Sequence, residues 1–371
     1  MTTQAKPDER AERSFPKPEF TDAEAGALEF PSSGSRAFNY FTPRRMRATT
    51  YEDVTYDVQP DPARHLTQGW IYGFAKGPGG YPEEWTALRS SDWHAFRDPN
   101  GEWEQTIYRN NANVVRQIQQ NLADAKLAEA YAAWPPAWVR FVERNLGAWM
   151  HAEHGLGMHV FMAAQRSAPT NMINNAIAVN AMHKLRFAQD LALYNLDLSE
   201  SGIGFDGSVH REVWQEDPVW QSVRRNVELL TTVEDWAEAL FAAGVVYESL
   251  VGELFRSQLV MQIAARNGDY VTPALVGTGE QDHVRDLGYT RELFLLLVRD
   301  EQHGARNREV LGEWLDRWIP VSLRAARDLQ PIWSQPQEKA VSFTDSLAAA
   351  RDGLRSLLAD LDLTEPKELS Q

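Results

Sequence analysis

Residues 300–307 read DEQHGARN. On a helix, a glutamate followed three residues later by a histidine puts both side chains on one face, where they can grip the same metal ion. Here Glu301 is followed at that distance by Gly304, which has no side chain at all. The stretch is a near miss for a metal-binding pair. What it means depends on whether the helices around it are those of a metal-binding bundle.

From NANVVRQIQQNLADAKLAEAYAAW (111–134) onward, apolar residues recur three and four apart almost to the C-terminus, the period of amphipathic helices. The spacing predicts helices over 110–131, 136–165, 172–196, 232–266 and 289–312, with shorter ones in 216–229, 313–329 and 341–361. WPPAW (134–138) suits a helix start, where proline is tolerated, while SAPTNM (167–172) and NGDYVTP (267–273) read as breaks between long helices. Four long helices in two hairpins give an all-α fold with the outline of a four-helix bundle. Residues 1–105 differ: stretches such as FNYFTPRRMRATTYEDVTYDVQPDP (38–62) and GFAKGPGGYPEEW (73–85) are rich in Pro, Gly and aromatics and lack a helical period. They predict an extended arm that needs another surface to order it. The helical domain is expected over 106–365, with a flexible tail at 366–371.

Composition narrows the chemistry. With no cysteine among 371 residues, disulfides, thiolate metal sites and iron–sulfur ligation in the usual form are excluded, and a reducing cytoplasm is the expected compartment. A net charge of −15 disfavours nucleic acid and acidic membranes. No apolar run approaches the ~20 residues of a membrane span. Thirteen Trp, fifteen Phe and eleven Tyr suit large buried surfaces, within a core or between subunits. No Ser-His-Asp order, phosphate loop or dinucleotide fingerprint is present.

Ferritin-like di-iron bundles take a lone glutamate from each of two helices and a Glu-x-x-His pair from each of the other two. Against that template, Glu253 falls in mid-helix and Glu301 about the right distance later, with Gly304 where the histidine should be. In NAMHKLRFAQDLALY (180–194), Lys184 and Phe187 occupy the places of a glutamate and a histidine, while Arg186 and Gln189 of a DExRHxQ pattern persist. The remaining lone glutamate aligns with Met150, Glu153 or His154 in LGAWMHAEHGLGMHVFM, a register the residues leave open. The cluster His151, His154 and His159 near Glu153 offers a second possible metal site, against a simpler reading as core or interface histidines. His183 and His303 read as packing or hydrogen-bonding residues.

On these motifs, over roughly residues 35–365, the chain resembles the β (small) subunit of the hydroxylase of soluble di-iron monooxygenases, most like the propane and tetrahydrofuran group. The resemblance implies a ferritin-like, ribonucleotide-reductase-like bundle with no catalytic residue and no metal of its own. It also implies an iron-bearing α subunit in an (αβ)2 hydroxylase, a coupling protein, and a reductase carrying FAD and a 2Fe-2S cluster that draws electrons from NADH. The α subunit would hydroxylate a small hydrocarbon such as propane with O2, the isolated β chain being inactive. The competing reading is a free-standing ferritin-like enzyme or metal store built on Glu253, Glu301 and the histidine cluster. If the family geometry holds, Lys184, Glu253 and Glu301 point at the bundle centre, and an internal ion pair among them, supplemented by Arg186 or Arg256, replaces the metal. Phe41, Arg44, Arg45, Arg47 and Tyr51 are the expected partner-binding residues of the arm.

Overall fold

The computed structural model describes residues 48–55, 85–338 and 341–370. Among these residues every regular element is a helix: α1 (Thr50–Thr55), α2 (Glu104–Leu127), α3 (136–164), α4 (Asn171–Glu200), α5 (His210–Glu216), α6 (Pro218–Leu230), α7 (236–263), α8 (Val271–Val298), α9 (Gly304–Asp328), α10 (Phe343–Asp360) and α11 (Lys367–Ser370). Their starts are written in the sequence. The Thr170 hydroxyl accepts from Ile173 N ahead of α4, and Asp235 accepts from the amides of Ala237 and Glu238 at the head of α7. Asp269 does the same for Val271 and Thr272, both at 2.9 Å, while accepting from the Trp138 indole at 2.9 Å. One carboxylate thus starts α8 and ties it to the beginning of α3.

Helices α3, α4, α8 and α7 close a ring, each packed on the next, which is the expected ferritin-like bundle. Residues 236–252 of α7 are buried on every side, and this stretch is apolar but for Glu238, Glu248 and Ser249, covered on its outer face by α6, α9 and α10. Helices α3 and α7 contain π-helical turns, at Val142–Leu146 and Leu156–Phe161 in the first and at Ala242–Gly252 and Arg256–Val260 in the second. Such turns concentrate at functional positions.

Four expectations need correction. The predicted helix over 289–312 is two helices, α8 and α9, with DEQHGARN at the junction. There Asp300 accepts from the amides of Gln302 and His303 at 2.9 Å each, and from the Ser91 amide at 2.6 Å. A carboxylate that captures local amides competes with the helix for them. Gly304 is required by this turn, since a Cβ there would lie 2.5 Å from the Val298 carbonyl oxygen. Conversely, residues 271–273, expected in a break, and 274–288, which fall in none of the predicted helices, are helical. Pro273 sits in the first turn, where its missing amide costs nothing.

The arm is also shorter than expected where it is described. Residues 85–103 rest on this chain's own helices: Ala87 N donates to Asp235, Arg89 N to Asn307 Oδ1 at 3.0 Å, and Asn100 Nδ2 to the Arg285 carbonyl at 3.0 Å. Tyr51 is buried, its hydroxyl accepting from Asp98 N at 3.0 Å. Phe41, Arg44, Arg45 and Arg47 lie outside the described residues. The expected tail carries α11, with Leu369 buried and its carbonyl accepting from Arg351 and Arg355.

Candidate functional site

At the centre of the ring each helix contributes polar side chains: Glu153 from α3, Lys184 from α4, Glu248 and Arg256 from α7, and Glu280 with His283 from α8. Lys184 Nζ lies 2.7 Å from Glu248 Oε1 and 3.1 Å from Glu153 Oε2. The Arg256 guanidinium reaches Glu248 Oε2 at 2.7 Å and Glu153 Oε1 at 3.0 Å, and its Nε donates to Glu280. His283 Nδ1 lies 3.5 Å from Glu248 Oε2. Two cations therefore bridge three carboxylates drawn from three helices.

The surroundings fit this charge set. Trp149 Nε1 donates to Glu153 Oε1 at 2.8 Å, and the Arg256 guanidinium carbon lies 5.5 Å from the Trp149 ring centre, within cation–π range. Gly252 leaves room for the guanidinium, because a Cβ there would stand 2.7 Å from Glu248 Oε2 and 3.0 Å from Arg256 Nη1. Gly279 leaves room for Phe187 in the same way, its missing Cβ falling 2.8 Å from the ring.

The electrostatics follow from burial and pairing. Burial works against charge on Lys184, but Glu153 and Glu248 outweigh it and hold its pKa above the ordinary value. Arg256 is raised well above its usual value, burial again being outweighed by Glu248, Glu280 and Glu153. Burial would raise the Glu248 carboxyl, yet Arg256 and Lys184 hold it far below the usual carboxylate range, and Glu280 is lowered by Arg256 in the same sense. His283 is lowered to about 4, by burial first, so its imidazole is neutral at pH 7.

A second polar layer lies beside the first. His183 Nδ1 is 2.8 Å from Asp286 Oδ1, and its Nε2 is 3.7 Å from Glu102 and 3.8 Å from Asp282. Arg186 pairs with Asp190 and Asp282. Arg186 thus serves this layer rather than the Lys184 cluster.

The bundle template can now be read in the correct register. The lone glutamates are Glu153 on α3 and Glu248 on α7, and α8 carries an intact pair, Glu280-x-x-His283. Lys184 and Phe187 stand at the remaining pair on α4. Glu153 was one of three options in the sequence, and on the second hairpin the carboxylates beside Lys184 and Arg256 are Glu248 and Glu280 where Glu253 and Glu301 were expected. Glu253 follows Glu248 by five residues, a rotation of roughly 140° on a helix, and is a half-buried residue accepting from Gln258 Nε2 at 2.8 Å. Glu301 is exposed in the α8–α9 turn. The expected Lys184 pairs with Glu253 and Glu301 are therefore replaced by pairs with Glu248 and Glu153. Glu280 and His283 escaped notice although GEQDH (279–283) spells the i, i+3 signature in full.

The residues of this site do not fit a pair of metal ions. Arg256 and Lys184 put positive charge among the carboxylates, Phe187 is apolar where a ligand nitrogen would be, and the gap bounded by Glu153, Lys184, Phe187, Gly279 and His283 has no room for a water-sized sphere. Among the described residues, no group of three or more His, Asp or Glu is placed to hold a metal. The histidines do not converge either. His151 Nε2 faces His210 Nδ1 at 2.9 Å, with its ring stacked on Trp214, while His154 and His159 are exposed, their ring centres 6.0 Å apart. The free-standing metal site built on Glu253, Glu301 and these histidines is not assembled.

The profile of the methane/phenol/alkene hydroxylase family matches residues 70–301. The chain belongs to this family. It is 65% identical over 363 residues to the small subunit of the hydroxylase component of propane 2-monooxygenase from Rhodococcus jostii (strain RHA1), covering 98% of this chain and 99% of that protein. It is also 29% identical over 336 residues to the component A beta chain of methane monooxygenase from Methylococcus capsulatus (strain ATCC 33009 / NCIMB 11132 / Bath), covering 85% of each. Its fold matches that of a chain in the crystal structure of phenol hydroxylase from Pseudomonas sp. OX1, with a TM-score of 0.72 over 86% of this chain and 92% of that one, at 19% identity. Within the methane/phenol/alkene hydroxylase family this chain is a small (β) subunit of a hydroxylase component, non-catalytic, with a bundle centre closed by Arg256 and Lys184. None of its described helices is long and apolar enough to cross a membrane.

Proposed function

We propose that this chain is the scaffold half of a cytoplasmic hydroxylase that oxidises propane or a similarly small hydrocarbon. Its partner is a large subunit that bears the di-iron centre, and the two assemble as (αβ)2. Electrons come from NADH through a reductase carrying FAD and a 2Fe-2S cluster, and a coupling protein completes the system. The observation that carries this reading is the guanidinium of Arg256 held among Glu153, Glu248 and Glu280. A bundle whose centre is filled by its own cations retains the shape of the fold without its chemistry. Similarity to propane 2-monooxygenase small subunits supports the substrate class. Phe41, Arg44, Arg45 and Arg47 are proposed to contact the large subunit, with Tyr51 anchoring that segment at its buried end.

Co-expression tests the reading. The chain made alone should carry no stoichiometric iron and oxidise no propane. Made together with a large subunit encoded beside it, it should co-purify in equal amounts, with all iron on the large subunit, and propane should be oxidised once reductase, coupling protein and NADH are added. An active complex lacking this chain, or iron bound by this chain alone, would overturn the proposal.

A further inference from the structure

The histidines His151, His154 and His159 of α3 do not gather round one ion, but the outer two form a pair of their own. His151 is taken up by His210, at 2.9 Å. His154 and His159 are exposed, away from the bundle centre, with ring centres 6.0 Å apart. Neither has a hydrogen-bond or ion-pair partner among the described residues. Two histidines that grip one ion from an α-helix typically stand four residues apart. These stand five apart. The turn between them, Leu156–Phe161, is π-helical, and its wider winding sets residues five apart closer than an α turn does.

We propose that His154 and His159 are a two-histidine surface clamp for a divalent late transition ion, with water in its remaining positions. Two imidazoles on one ion, each bonded at about 2.0–2.1 Å, have ring centres about 5–6 Å apart, which the observed spacing meets. The rings now meet edge to face, at 73°. One has to turn to present its nitrogen, a motion that an exposed side chain makes in nanoseconds or less. A pair of imidazoles favours the upper end of the divalent series, Cu(II) first, then Ni(II) and Zn(II), and holds Fe(II) weakly. The bound ion ties the two flanks of the π turn together, so it stabilises the folded chain.

The test is Cu(II) binding by the full-length chain at neutral pH, read by electron paramagnetic resonance, whose nitrogen hyperfine lines count the imidazoles on the ion. One equivalent of Cu(II) should give a two-nitrogen signal in the parent, and Zn(II) should raise the melting temperature. His154→Ala and His159→Ala should each lose the two-nitrogen signal, weaken Cu(II) binding by about tenfold or more, and abolish the Zn(II) shift. Both side chains are exposed, so these variants should melt like the parent when no metal is added. His303→Ala, which removes a histidine outside the pair, should leave every readout as in the parent. A parent without the two-nitrogen signal, a signal that persists in either His154→Ala or His159→Ala, or a signal lost in His303→Ala would overturn the proposal. So would a Zn(II) shift of equal size in the parent and the two pair variants. None of these readouts involves iron, hydroxylase activity or the large subunit, so the result stands apart from the proposed function.

Discussion

Removing the Lys184 ammonium leaves Glu153 and Glu248 with Arg256 as their only shared cation, in a space from which water is excluded. Breaking a buried pair by deleting one partner costs ~3–5 kcal/mol, whereas removing both members together costs much less. Lys184→Ala should therefore lower stability in urea denaturation by about that amount. Lys184→Met combined with Glu153→Leu keeps the balance of charge in the cluster and should recover a large part of the loss. Glu301→Gln, on an exposed turn residue, should stay within about 0.5 kcal/mol of the parent. Equal effects for Lys184→Ala and Glu301→Gln would mean that the cluster contributes nothing. Acid behaviour is set by single residues too. His151 is lowered to about 4 by burial first and by His210 second, so between pH 6.5 and about 4 the unfolded chain binds a proton that the folded chain refuses. Stability must then fall as pH falls through that window. Asp190 and Asp286, pushed up to about 6 by burial, act in the opposite sense, so the decisive quantity is a difference. His151→Phe should lose less stability than the parent on going from pH 6.5 to 4, and identical pH profiles would remove His151 from the account.

Helix α8 shows why a pattern can be present and still go unread. Pro273, Gly277, Gly279 and Gly288 mark the segment as a break by local propensity, yet it is a 28-residue helix because tertiary packing overrides propensity. That misreading moved the predicted fourth helix C-terminally, onto the α8–α9 junction, and with it the search for ligands to Glu301 and Gly304. The intact Glu280-x-x-His283 pair lay inside a segment assigned to none of the predicted helices. Helix α4 was legible because no glycine or proline interrupts its period, and it carries Lys184 to the bundle centre. The π turns of α3 and α7 were not legible, since they change the register of a face without changing its composition. Gly279 itself is explained by its neighbour and not by its helix. Gly279→Ala should gain ~1 kcal/mol of helix propensity but push a Cβ to 2.8 Å from the Phe187 ring. Overpacking of that kind costs about 1–3 kcal/mol, so the net effect should be a loss. Phe187→Leu in the same chain should relieve the clash, making the double variant more stable than the two single losses add up to. Strict additivity would show that Phe187 and Gly279 do not share that volume.

At the scale of the molecule, residues from Thr50 onward form one compact unit, and what precedes it in sequence is the segment proposed to meet the large subunit. The unit supplies its own partners at its N-terminal edge. The α1 residue Thr55 donates to the Tyr51 carbonyl, its carbonyl accepts from Asn171 Nδ2 at 2.9 Å, and Glu52 and Arg97 form a buried ion pair at 3.4 Å. These contacts join described residues and survive deletion of residues 1–47, so the deletion should leave helicity and melting temperature close to those of the parent. The same deletion removes Phe41, Arg44, Arg45 and Arg47, three cations and an aromatic ring in a chain whose net charge is −15. If these residues dock on a large subunit, the truncated chain should still fold but co-purify with that subunit in lower yield and dissociate from it on gel filtration at concentrations where the parent complex holds. Restoring residues 38–47 alone should recover the association. A truncated chain that assembles as well as the parent would show that docking rests on the helical unit, and one that melts at a lower temperature would show that the segment belongs to this chain's own fold.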